Sequence, residues 1–251
     1  MRVVLDVQNI EKYYGNKGSI TKALDCLSFQ VGHGEFIGIM GASGSGKTTL
    51  LNCISTIDST SAGNIFLNGA DITKLREDEL AKLRRENLGF IFQDFNLLDT
   101  LTIGENISLS LTVNRVPPSE TVKRINSISA QLGLSQILDK FPYQVSGGEK
   151  QRCACARAVI TNPKLVLADE PTGSLDSVSS VKLLEMLTEL NRTLSSTILL
   201  VTHDALSASY ADRILFIKDG KVFNEIIKGE KCRQTFYHEI LDVLSLLGGT
   251  A

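Results

Sequence analysis

Short unbroken apolar runs recur along the chain: Phe36-Ile37-Gly38-Ile39-Met40, Leu88-Gly89-Phe90-Ile91-Phe92, Leu165-Val166-Leu167-Ala168, Thr197-Ile198-Leu199-Leu200-Val201 and Ile214-Leu215-Phe216-Ile217. Runs this short, without polar alternation, predict strands buried on both faces. Between them lie stretches with helical spacing: Glu77 to Asn87, about Glu120 to Leu132 after the break at Pro117-Pro118-Ser119, and residues 178–192. Strands alternating with helices predict an α/β fold with a mostly parallel sheet covered on both sides. The N-terminal part differs. Val3 to Val7 and Ala23 to Phe29 suit strands of a half-exposed antiparallel subdomain, with a turn-rich loop over Gly15 to Ser19. Residues 60–73 add a hairpin that turns at Asn68-Gly69. Residues 94–160 carry helical periodicity, with a helix start at Thr102 or Gly104 and no comparable strand, which predicts an inserted α-helical subdomain. These parts make up one domain over residues 1–229. A C-terminal helical extension follows over 230–251, where Phe236, Ile240, Val243, Leu244 and Leu247 recur at helical spacing until Gly248-Gly249. Such a helix packs either on its own domain or on a partner.

Polar residues sit where the apolar runs end, and sites in parallel sheets lie beyond the carboxyl ends of strands. After Met40 comes Gly41-Ala42-Ser43-Gly44-Ser45-Gly46-Lys47-Thr48, then the apolar helix opening Thr49-Leu50-Leu51. This is the phosphate-binding pattern G-x-x-x-x-G-K-T on a strand–loop–helix frame, and it identifies a P-loop NTPase core. The glycines let backbone N–H groups approach phosphate, and the helix start adds unpaired donors and partial positive charge. Lys47 is aimed at the β- and γ-phosphates, and the Thr48 hydroxyl suits Mg²⁺. Gln93, Asp169 and His203 each follow another apolar run. Asp169 suits Mg²⁺, directly or through water. Glu170 beside it suits a base that orients a water and accepts its proton. His203 suits a hydrogen bond to the γ-phosphate or to that water. Tyr13 and Tyr14 offer a ring either to an adenine or to ordinary sheet packing.

Composition narrows the setting. The 251 residues carry a formal net charge of −2, which shows no excess for binding nucleic acid. Five cysteines at irregular spacing give no disulfide framework and suit a reducing cytosol. Cys153 and Cys155, two apart on a predicted helix, point to different faces and do not suggest a metal pair. No uncharged apolar run approaches the ~20 residues that span a bilayer. If the protein works at a membrane, another chain supplies the membrane part.

Ser146-Gly147-Gly148-Glu149 raises a separate question. Serine followed three residues later by glutamate is a capping box, so a helix starts here. Two glycines at its first positions are poor helix formers, by up to ~1 kcal/mol each if they behaved as interior sites. They leave N–H groups uncovered and open to an anion. The phosphate loop already cradles one nucleotide. The second cradle is therefore expected to serve a nucleotide held by another copy of the domain, with the two copies facing head to tail.

Taken in order, the phosphate loop, Gln93, Val145 to Glu149, Leu165 to Glu170, Ser174-Leu175-Asp176 and His203 resemble the ATP-binding-cassette (ABC) ATPases over nearly the whole chain. The resemblance implies ATP and Mg²⁺ as ligands. It implies that Tyr14 stacks on adenine, that Gly41 to Thr49 hold the phosphates, and that Thr48, Gln93 and Asp169 hold the metal. Gln93 would also sense a membrane partner. Ser146, Gly147, Gly148 and Glu149 would meet the γ-phosphate of the second copy, Ser174 and Asp176 would link the two sites, and Glu170 and His203 would run hydrolysis. Two positions depart from the family pattern: Val145 stands for the usual leucine and Glu149 for the usual glutamine. Glu149 keeps the capping box but brings a negative charge near the trans phosphate. Gly89 to Leu98 resembles the macrolide-exporter and lipoprotein-release group. Asp99 to Thr102 and Arg233 to Phe236 are more like ATPases of bacitracin-type antimicrobial-peptide resistance transporters. That likeness implies a peripheral position on the cytoplasmic face of a bacterial membrane. It also implies a permease with a large extracellular domain and a sensor histidine kinase as partners. Lipoprotein release, macrolide export or a non-transporting signalling role of the cell-division type are the alternatives.

Overall fold

The computed structural model describes residues 2–16 and 19–248. Lys17 and Gly18 of the expected N-terminal loop, and Gly249 of the expected helix stop, lie outside the described residues. The apolar runs form the centre. Strands β3 (Phe36–Met40), β6 (Leu88–Ile91), β7 (Leu165–Asp169), β8 (Ile198–Val201) and β9 (Arg213–Lys218) build a six-stranded sheet with β10 (Lys221–Ile227), in the order β10-β9-β3-β8-β7-β6. All neighbours are parallel except β10, which pairs antiparallel with β9.

The lack of alternation in these runs has a direct cause, because each strand feeds two cores. Phe36, Met40, Val166, Ile198, Leu200, Ile214 and Phe216 face one apolar cluster; Ile37, Ile39, Leu165, Leu167, Leu199, Val201 and Leu215 face the other. The first cluster is closed by α3 (Ile103–Val113), α4 (Pro118–Gln131), α5 (Gly147–Val159), α6 (Ser177–Leu194), α7 (Ala205–Ala208) and α8 (Arg233–Gly248). The second is closed by α1 (Lys47–Ile54), α2 (Glu77–Asn87) and a four-stranded antiparallel sheet. That sheet is ordered β2-β1-β4-β5 from β1 (Val3–Asn16), β2 (Ser19–Gly32), β4 (Ala62–Leu67) and β5 (Ala70–Asp71).

The fold class agrees with expectation, and the differences are local. β1 and β2 run much further than the expected Val3–Val7 and Ala23–Phe29. Register shifts let them bend, two of them beside Asn9 and Cys26, whose φ values of 48° and 51° are left-handed. The alternation rule stops at such shifts, which is why the ends were missed. β10 was also missed: the turn at Asp219-Gly220 ends β9 and at once starts an edge strand whose exposure alternates residue by residue. Over residues 94–160 the described structure is helical, with no strand, as expected. The end of α5 nevertheless joins the main core through Cys153, Cys155 and Ala156, all fully buried. The C-terminal helix packs on its own domain, with Phe236 and Ile240 fully buried and Val243 nearly so.

Candidate functional site

A cavity of about 670 Å³ opens beyond the carboxyl ends of β3, β7 and β8. Gly41 to Gly44, Gly46 to Thr49, Asp169, Glu170 and His203 line it, so residues from three of the four strand ends that the sequence singled out meet here. The loop depends on close backbone approach. A Cβ at Gly41 would lie 2.2 Å from Ile217 O, and one at Gly46, where φ is 105°, would lie 2.5 Å from Ala23 O. α1 starts at Gly46 with no side-chain cap and no acidic residue in its first turn, so its N–H donors face the cavity without internal competition. Lys47 is buried and its Nζ donates to Gly41 O and Ala42 O, each at 2.8 Å. Burial lowers its pKa, while the charges of Glu170 and Asp169 oppose that shift. Ser45 turns inward from the loop, and its buried Oγ has no hydrogen-bond partner among the described residues.

The acidic side of the cavity is built by β7 and β8. Asp169 closes β7, and burial together with the neighbouring Glu170 raises its pKa, against the pull of Lys47. Glu170 adopts a left-handed φ of 44°, a conformation that costs a non-glycine residue and that its surroundings must enforce. They do so by three bonds. Glu170 N donates to Val201 O at 2.9 Å, the Thr202 hydroxyl donates to Glu170 Oε2 at 3.0 Å, and His203 Nδ1 lies 2.7 Å from Glu170 Oε1. The His203 side chain is otherwise 74% exposed, so one edge is fixed while the rest of the ring faces the cavity and solvent.

Other expected residues lie elsewhere. Gln93 does not line the cavity; its amide packs on the turn after Glu170, where a Cβ at Gly173 would come within 2.9 Å of Gln93 Cδ. Tyr14 is exposed, its hydroxyl donates to Asp58 Oδ2 at 2.8 Å, and the Lys12 ammonium sits 5.0 Å from its ring centroid. Ser146 and Gly147 are exposed, and none of Ser146 to Glu149 lines the cavity. The capping box is present: the Ser146 hydroxyl accepts from Glu149 N and donates to Glu149 Oε2 at 2.8 Å, and the same carboxylate oxygen accepts from Ser146 N at 2.8 Å. Asp176 caps α6 by accepting from Val178 N and Ser179 N. Its partner Ser179 also backs the signature, since a Cβ at Gly148 would lie 3.2 Å from Ser179 Oγ. Ser174 is exposed in the same turn.

Two residues the sequence reading passed over hold these pieces together. Thr202 fixes Glu170, and its place directly before His203 was the available signal. Gln151 is fully buried one turn into α5, where its Nε2 donates to Phe92 O at 3.1 Å and Pro171 O at 2.7 Å. A glutamine sharing its helix face with small residues one turn away, Gly147, Gly148, Ala154 and Cys155, was the corresponding clue.

The site fits a nucleotide triphosphate. The loop presents N–H groups and an ammonium, an orphaned hydroxyl lies beneath it, and the oxygen donors Thr48 and Asp169 are hard ligands suited to Mg²⁺. Comparisons with known proteins agree. A family model described as ABC transporter matches residues 24–173. The ABC transporter ATP-binding protein YxdL of Bacillus subtilis is 54% identical over 252 residues, covering 100% of this chain and 97% of that protein. The bacitracin export ATP-binding protein BceA of Halalkalibacterium halodurans is 48% identical, covering 98% and 97%. A dimeric ATP-binding cassette solved in a post-hydrolysis state with ADP and Pi superposes with a TM-score of 0.81 at 37% identity, covering 89% of this chain and 98% of that one. The chain belongs to the ABC transporter family, and its α/β fold and phosphate-loop cavity are those of the family's ATP-hydrolysing cassette.

Proposed function

We propose that this cassette pairs head to tail with a second copy on ATP and drives a membrane permease that exports, removes or senses antimicrobial peptides. The observation that carries the hydrolytic part is Glu170, held at the mouth of the phosphate-loop cavity by Thr202 and His203. Glu170 accepts the proton of a water attacking the γ-phosphorus. The bond from that phosphorus to the β–γ bridging oxygen breaks, and ADP and phosphate leave. Lys47 and the start of α1 offset the charge that develops on the transferred group and the leaving oxygen. Thr48 and Asp169 would hold Mg²⁺ in the cavity, and Gln93, now packed against Gly173, would have to turn toward it to join them; the bound ion would supply further neutralisation of the phosphates. Tyr14 offers its exposed ring to adenine. In the stretch from Ser146 to Glu149, Ser146 and Gly147 are exposed and none of the four lines its own cavity, which supports their use on the partner's γ-phosphate. Asp176, beside Gly148 through Ser179, and Ser174 in the same turn link one site to the other.

A groove of about 480 Å³ supports the permease reading. It is lined by Arg84, Leu88, Phe90, Phe92, Val113 and Arg157, among others, and lies directly before Gln93. Among the described residues no helix is long and apolar enough to cross a membrane. A cytoplasmic helix of the permease with an apolar face and acidic ends suits this groove. The peptide class rests on likeness to the bacitracin export protein across almost the whole of both chains. A large extracellular permease domain, a sensor histidine kinase and a position on the cytoplasmic face of the membrane belong to the same reading.

The test of the engine is Glu170→Gln, which is expected to bind ATP, stop turnover and accumulate an ATP-bound dimer in sedimentation. Retained turnover would remove Glu170 from its role. The test of coupling is Val113→Asp, on a side chain 58% exposed in the groove. It is expected to lose co-purification with the permease while basal ATPase stays; undiminished co-purification excludes the groove.

A further inference from the structure

The wall of the nucleotide cavity includes residues from the far end of the chain. Leu244 and Leu247, from the last two turns of α8, line the same space as Lys47, Asp169, Glu170 and His203. They are half-buried, and both also pack on the core that holds Phe236. Their place is fixed by helical spacing. Ile240 is followed four residues later by Leu244, and Val243 by Leu247, so both continue the face that Phe236, Ile240 and Val243 bury. α8 in turn packs on α7, whose cap Asp204 directly follows His203. The helix is thus hung from the segment that carries the histidine of the site.

Besides the phosphate loop, two carboxylates and an imidazole, the cavity is lined by Ala23 and Val201, so Leu244 and Leu247 are the two large, half-buried apolar side chains that a distant helix brings to it. The rest of α8 does not share the position. Leu241 and Leu246 are 39% and 66% exposed on the same helix and do not line the cavity. From this we infer that Leu244 and Leu247 are positioning residues for hydrolysis. They form an apolar wall beside the Glu170–His203 pair that keeps bulk water off the attacking-water position. With bulk water excluded, the hydrogen bonds and phosphate charges in the site act in a lower dielectric and the single bound water is better ordered. When the second copy closes over the γ-phosphate, this wall completes the enclosure from within the chain. The inference deepens the hydrolytic reading above and rests on it.

The experiment is steady-state ATP hydrolysis by the full chain with ATP varied, for Leu247→Ala, Leu244→Ala, Leu246→Ala and Leu247→Met. The expected result is a roughly tenfold fall in kcat for Leu244→Ala and Leu247→Ala with KM for ATP changed less than about twofold. Leu246→Ala should behave as the unaltered chain, and Leu247→Met, which restores apolar volume, should recover most of kcat. If Leu244→Ala lowers the melting transition, Leu247→Ala carries the test, since its side chain lies in the final turn and its loss opens no sealed core. A Leu247→Ala kcat that is unchanged or raised overturns the wall, as does an equal fall in Leu246→Ala or a failure of Leu247→Met to recover. Glu170→Gln is measured in parallel. If it still turns over, the hydrolytic reading has failed; if it is dead while Leu247→Ala is normal, only the wall has failed.

Discussion

Glu149 stands where the family pattern has glutamine, and its geometry gives the change a size. Its carboxylate is turned back on the helix start, bonded to Ser146 N and to the Ser146 hydroxyl at 2.8 Å each. A phosphate oxygen of a second copy that took the single Ser146 hydroxyl hydrogen from the carboxylate, at a normal hydrogen-bond length, would lie about 5 Å from that carboxylate. Two like charges at that separation repel by about 3 kcal/mol at an effective dielectric constant of about 20. The carboxylate is only partly buried, and salt screening reduces this to about 1–2 kcal/mol. The Ser146 backbone N–H and the Ser146 hydroxyl hold its pKa below the usual carboxylate value, which favours the charged form. Glu149→Gln keeps an oxygen for the capping box and removes the charge. Because a dimer contains two such sites, its association constant is expected to rise by roughly 30-fold or more, which is about 2 kcal/mol. The assay is sedimentation equilibrium with ATP and Mg²⁺, comparing Glu170→Gln with the Glu170→Gln/Glu149→Gln double variant at low and high salt. The gain should shrink at high salt. Equal or weaker association of the double variant would refute both the trans contact at Ser146 and the repulsion.

Three further outcomes are expected. Lys47→Ala should remove most ATP affinity in calorimetry, because the loop loses its only ammonium; unchanged binding would reject the phosphate-loop assignment. Phe236→Ala should lower stability by about 3–5 kcal/mol in denaturant titration, since the ring is fully buried, and deletion of residues 233–251 should abolish the cooperative transition. A deletion that melts normally would show that α8 is not part of the core. Acidification should destabilise the fold between about pH 5 and pH 2. Hydrogen bonds from Cys26, Tyr13 and Lys22 hold the Glu11 carboxyl down at about 2 from 4.5, and Lys22 and Lys221 hold Asp25 at about 2 from 3.8. Both bind protons more readily unfolded, so the stability they give is complete above their ordinary values and is lost as pH falls through the folded ones. Lys22→Ala should flatten that part of a melting-temperature profile, and an unaltered profile would exclude these groups.

Much of the fold was legible because the central strands are buried twice over. A strand such as Leu165 to Ala168 has no solvent face, so the run is continuous and its end is sharp, and Asp169 and Glu170 could be placed at once. The same logic placed the phosphate loop and His203. What the sequence did not reveal depends on contacts between distant segments. β10 alternates only because one face is open, and its turn looked like an end. Thr202 and Gln151 matter for what they touch, Glu170 in one case and two backbone carbonyls in the other. Where Gln93 rests, flat on the turn after Glu170, depends on the small residue at position 173, which its own sequence neighbourhood does not reveal. The helical spacing of α8 was plain, yet which wall it completes depends on where α7 leaves the sheet.

Gln151 gives helix α5 a mechanical meaning. At its first turn the helix carries Gly147 and Gly148; at its last turn, Arg157 donates to Phe95 O at 2.9 Å and also bonds Asn96 O. Midway, the buried amide pins it to both the chain leaving β6 and the turn following the base. Thirteen residues of helix span about 20 Å. Any tilt of this rod must therefore drag the groove floor and the hydrolytic turn together. On the reading proposed above, nucleotide state at a neighbour's pocket and the posture of whatever sits in the groove would be two readings of one rigid displacement, with no relay of separate small rearrangements between them.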